Sequence, residues 1–221
     1  MKMAKFLKFI LIIVLLLLSG GYLVEIFEIS PHLLKFPSQF QLFLYGGLAF
    51  LVFWALFRKR FMYAFSVFEH ELTHVLVAKL FFLKLFHFEV SPKKHVEGRV
   101  VVGVDGHGKV TRIVSVVFSL APYYIPTLLL FLFVVYPLFG TRMRPVFIFA
   151  VGFMIMYHLL TTFLEFGFHQ ADIQRHGEYF STAFVLLGNI VFLGIALIVI
   201  MYGFQHVPAF LLSGILNIFG G

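Results

Sequence analysis

With 221 residues, 61% of them apolar and only 12% charged, the chain cannot coat a soluble domain, which carries about a quarter charged residues; it reads as one membrane domain. The net charge of +7 does not point to nucleic acid, because the basic residues sit in short clusters between apolar runs and no basic stripe with interleaved aromatics occurs. Cysteine is absent, which excludes disulfides, thiolate metal sites and a cysteine nucleophile, so any metal must be held by His, Asp or Glu.

A helix crosses a bilayer with about 20 mostly apolar residues. The first such run covers about residues 5–24, behind Lys2, Lys5 and Lys8. Its length and the lack of an Ala-x-Ala site make it an uncleaved anchor rather than a signal peptide. A second covers about 41–57 and stops at Arg58-Lys59-Arg60. The third, about 61–82, carries Glu69, His70, Glu71 and His74 inside the apolar run. A fourth, about 113–139, is interrupted by Pro122 and Pro126. The fifth, about 145–168, contains His158 and Glu165, and the sixth covers about 182–204. The tail beyond Pro208 is too short to stand upright in the membrane and is expected at the interface.

Residues 91–112 differ in kind, with β-branched residues on both sides of Asp105-Gly106-His107-Gly108. Asp-Gly in that setting predicts a β-hairpin docked at a membrane face. The expected fold is therefore an all-α polytopic membrane protein of about six transmembrane helices, with a small hairpin after the third. Residues 1–60 form two N-terminal spans, 61–181 a core, and 182–221 a last span with its tail. The positive-inside rule puts both Lys2 and Arg58-Lys59-Arg60 in the cytoplasm. A third full crossing would then place the basic hairpin outside, against the same rule, so either the third span does not cross fully or one early segment is not a full span.

The chemistry sits in His70-Glu71-Leu72-Thr73-His74. Positions i and i+4 of a helix share a face, so both imidazoles can reach one metal ion. Glu71, beside the first imidazole, can take a proton from a zinc-bound water whose pKa the metal lowers towards about 7. Chance would give roughly 0.02 such pentapeptides in a chain of this composition, and ionisable residues inside a membrane are functional by default. The bland reading is polar packing between helices without metal.

Catalytic zinc takes three protein ligands and keeps one position open. Donors for the third recur at helical intervals: His158, Thr162, Glu165, His169, Asp172 and His176 would form one polar stripe if that segment stayed helical. His158 reads as a buried hydrogen-bonding histidine, Glu165 as a partner that orients a ligating imidazole, and His176 as interfacial. Asp172 and His169 are the candidates for third ligand, and the residues alone barely separate them.

At this point the chain resembles the site-2 protease family of intramembrane zinc metalloproteases. The resemblance rests on His70-Glu71-Leu72-Thr73-His74 in a membrane helix, continued by Val77-Ala78-Lys79-Leu80. It extends through the hairpin, a proline-bearing helix and an acid near the end of a later helix, roughly residues 61–180. It implies His70 and His74 as ligands of one zinc ion per chain, Asp172 rather than His169 as the third, and Glu71 as general base. The chain reads as a divergent branch: the family's Asn-Pro…Leu-Asp-Gly context is Gln170-Ala171-Asp172-Ile173-Gln174 here, and Leu120-Ala121-Pro122 lacks a following Asn. No PDZ-like insertion fits the loop at residues 140–144.

The implied activity is hydrolysis of peptide bonds in membrane-associated or transmembrane substrates. Such a substrate must be extended, and a strand edge around residues 99–104 can receive it as an added strand; the equal alternative is a structural plug at the membrane face. Its partners are then a membrane protein or peptide substrate and the lipid bilayer, with no nucleic acid, and its expected location is the plasma membrane of a prokaryote. The alternative is a non-proteolytic metal-binding protein or transporter using intramembrane His and Asp, although no inverted repeat is visible. A desaturase-type di-iron centre would call for His-His pairs, and none occurs.

Overall fold

A computed structural model describes residues 2–33, 35–89, 99–103, 109–138 and 140–220. Among them are nine α-helices: α1 (Lys2–Leu33), α2 (Pro37–Phe57), α3 (Tyr63–Leu80), α4 (Lys109–Tyr124), α5 (Thr127–Val135), α6 (Arg144–Glu165), α7 (Ala171–His176), α8 (Glu178–Met201) and α9 (Val207–Leu216). The chain is an integral, multi-pass membrane protein of helices. Four of them, α1, α2, α6 and α8, are long and apolar enough to cross a bilayer, and the α4–α5 pair adds a fifth if its two limbs count as one bent span.

That is fewer than the six expected, and α3 accounts for the difference. It has 18 residues, about 27 Å at 1.5 Å per residue, and carries Glu69, Glu71 and Lys79. Its two acids are buried within the bundle, and the helix lies against α4.

The fourth predicted span is broken where its prolines stand. Pro122 lies inside the last turn of α4, Pro126 precedes α5, and the two helices meet at 84°. Proline supplies no N–H and its ring crowds the preceding turn, so the ladder cannot run through both positions. Thr127 accordingly donates its N–H to Ile125 O rather than four residues back.

An antiparallel pair does follow α3, but it lies earlier in the chain than the 91–112 expected. From Lys109 onward the chain is helical, because apolar residues recur there at helical spacing through Val116, Leu120 and Ala121. The extended backbone pairs earlier: Lys84–Glu89 (β1) runs antiparallel to Arg99–Gly103 (β2), with an irregularity between Leu85 and His87. Residues 90–98 and 104–108, Asp105-Gly106 included, lie outside the described residues.

Two packing systems support the site. In one, α2 and α6 cross with backbone in contact, since a Cβ at Gly46 would overlap Phe149 O and one at Gly152 would overlap Phe43 O. In the other, α1 packs along α8 and α9. The tail packs back on α1: Phe210 is buried against Tyr22, whose hydroxyl donates to Leu211 O at 3.0 Å. Helices α1 and α8 run parallel, with Lys8 over the Phe180 ring at one end and His32 against Tyr202 at the other. The α6–α7–α8 turn consequently lies at the same end of the bundle as the lysine-bearing N-terminus.

Candidate metal centre

Helix α3 places His70 and His74 one turn apart, their rings 5.1 Å between centroids. The third donor arrives from a segment nearly a hundred residues on, and it gets there because the predicted stripe breaks. Helix α6 ends at Glu165, where Phe166 turns extended (ψ 110°) while its N–H closes the last turn on Thr162 O. After a turn closed by Gln170 N–H to Gly167 O, α7 restarts at Ala171. Ile173, fully buried with Leu120, Tyr123 and Val185, pins this short helix, and Ser181 Oγ donates to its carbonyl at 3.2 Å. Gly177 makes the reversal into α8 at φ 86°, a backbone region that strains any other residue.

Held this way, Asp172 Oδ2 lies 3.7 Å from His74 Nε2, and one donor atom each from His70, His74 and Asp172 falls within 4.8 Å of the others. Donors about 2 Å from a tetrahedral zinc stand about 3.3 Å apart, so a small closure brings this set to coordination distance. Two imidazoles and a carboxylate suit zinc, with no thiolate required.

The imidazoles are also aimed. His74 Nδ1 lies 3.0 Å from Phe118 O, which fixes Nδ1 as the donor and leaves Nε2 on the Asp172 side. Phe118 O is free to accept because Pro122, four residues on, has no N–H to give it. His70 Nδ1 lies 3.5 Å from Glu165 Oε2, and the Tyr123 ring stands edge-on to the His70 ring at 5.2 Å. The second proline break is used too: Tyr123 O accepts from Asn189 Nδ2 at 2.8 Å and from Thr162 Oγ1 at 3.3 Å.

Glu71, the expected base, is buried beside His70, within its electrostatic reach. Glu69 is buried too, and Thr73 Oγ1 donates to its backbone carbonyl at 2.9 Å and sits 2.5 Å from Thr127 Oγ1 at the start of α5. That contact ties the helix bearing the imidazoles to the bend.

The other members of the predicted stripe are separated. His169 is exposed, and its ring folds back over Gly167, outside the three-residue group. His158 is buried in α6, with its Nε2 lacking a hydrogen-bond partner among the described residues. His176 ends α7, where its carbonyl accepts from Lys8 Nζ; burial, assisted by neighbouring Arg175, lowers its pKa, so it adds no charge near Asp172 at neutral pH.

Sequence reasoning missed Phe118, Asn189 and Thr127. Phe118 acts through its backbone, and the only available signal was Pro122 four positions later. No protein-family model matches the chain, and neither a curated protein nor a solved structure is significantly similar to it.

Proposed function

We propose that the chain is an intramembrane zinc metalloprotease, similar in plan to the site-2 proteases, cleaving peptide bonds of membrane-associated or transmembrane substrates. The observation that carries this reading is the convergence of His70, His74 and Asp172, with the Nδ1 atom of each imidazole facing an acceptor. Such a set fits one zinc ion, which when bound acidifies water and polarises a carbonyl.

The protein's own residues supply the rest. Glu71, one residue from His70 and shielded from bulk solvent, takes the proton from the attacking water and passes it to the leaving amide nitrogen. His70 and Asp172 keep part of their side-chain surface exposed, at 17% and 32%, so the donors are approachable. Strand β2 has no second partner strand among the described residues and offers main-chain groups to an unwound substrate. The site lies at the end of the bundle that carries Lys8, which the positive-inside rule makes cytoplasmic.

The test is cleavage of a panel of membrane-protein segments by the reconstituted protein, read by mass spectrometry, beside Glu71→Gln. The reading expects cleavage that falls about 100-fold or more in Glu71→Gln with zinc content unchanged. Zinc-loaded wild type without cleavage across the panel, or cleavage equal in both proteins, contradicts it.

A further inference from the structure

Glu165 is the last residue of α6, where the helix dipole is negative. A carboxylate in that turn opposes the dipole, and Glu69, also an acid, lies within its electrostatic reach. Helix stability therefore gives no reason for an acid at this place. What the position does provide is a single well-placed partner: Glu165 Oε2 lies 3.5 Å from His70 Nδ1, with 29% and 17% of the two side chains exposed.

The two imidazoles of the site thus solve one problem in two ways. His74 is held through Nδ1 by a carbonyl that a proline has freed, whereas His70 has a carboxylate in the equivalent place. Glu165 belongs to no group of converging metal donors among the described residues; His70, His74 and Asp172 form that group without it.

Resting on the zinc reading above, we propose that Glu165 is a positioning residue that holds His70 in its Nδ1–H form and turns Nε2 towards the metal. Because Glu165 and Asp172 flank the same helix break, one local departure from helix delivers both a ligand and the anchor of another ligand. A partner of this kind changes metal affinity about 10- to 100-fold without changing the ligand count.

The experiment uses full-length metal-free protein in detergent, labelled with ¹⁵N-histidine, with the pH raised until the His70 ring gives the signal of a neutral imidazole. The His70 resonances are assigned by their loss in His70→Asn. Wild type should report Nδ1–H, Glu165→Ala should shift His70 towards the Nε2–H form, and Glu165→Gln, whose amide oxygen still accepts, should largely restore wild type. Zinc competition with a chelator should then give one zinc per chain in all three, bound about 10- to 100-fold more weakly in Glu165→Ala. Nε2–H in the wild type, a tautomer unmoved by Glu165→Ala, or loss of zinc stoichiometry in Glu165→Ala would overturn the assignment, the last by making Glu165 a ligand. The tautomer needs no metal, so a wild type that reports Nδ1–H yet binds no zinc defeats the metalloprotease reading and leaves the His70–Glu165 pairing in place.

Discussion

The two halves of this bundle are built on opposite rules. Helices α1, α2, α6 and α8 run 21 residues or more and are held by apolar packing and glycine-mediated backbone contact. Around the candidate centre, helices are short or broken: α4 ends in its proline bend, α6 stops at Glu165, and α7 has six residues. Each break releases backbone groups that lipid cannot satisfy, and each is satisfied from within. His74 takes Phe118 O, Asn189 and Thr162 take Tyr123 O, and Lys8 takes His176 O. The regular half fixes position; the irregular half uses freed carbonyls to aim side chains.

Substitutions at the glycine crossing should hit the regular half hardest. Gly152→Leu forces a side chain into Phe43 backbone, and overpacking of this kind costs about 3 kcal/mol or more. The expected outcome is a large fall in thermal stability, with any protein that still folds retaining its zinc affinity. A smaller effect, of different kind, is expected from Asn189→Leu. It leaves Tyr123 O with the longer Thr162 bond alone, costing about 1–2 kcal/mol in thermal unfolding.

Pro122→Ala sharpens the contrast further. It restores an N–H that competes with His74 for Phe118 O, so zinc should bind several-fold more weakly while the melting temperature holds or rises. Weaker unfolding stability with unchanged zinc affinity would mean the proline serves the fold alone. The smallest effect belongs to Lys8→Ala. Removing an exposed cation from the end of α7 should cost below about 1 kcal/mol, detectable as a slight loosening of zinc binding through Asp172.

What could be read in advance follows the same division. The long apolar runs of α1, α2, α6 and α8 and the His70–His74 spacing were legible because composition and helical period encode them directly. Pro122 and Pro126 marked the α4–α5 bend. The helix break after Glu165 was not legible, since residues 166–170 contain one glycine and no proline, and a continuous polar stripe was the simpler reading. That break decides which of His169 and Asp172 faces the imidazoles. The span count of six exceeds the four or five helices apolar enough to cross, because α3 carries Glu69, Glu71 and Lys79. The ribbon was placed too late in the chain because the helical period from Lys109 onward was read as strand.

The most direct measurement is the zinc content of detergent-purified protein, prepared metal-replete, for wild type beside His74→Ala and Asp172→Ala. About one zinc per chain in wild type, lost in both variants while each retains its helical content, is the result expected from a site of three converging donors. Wild type that takes up no zinc, or Asp172→Ala that binds as tightly as wild type, would contradict it.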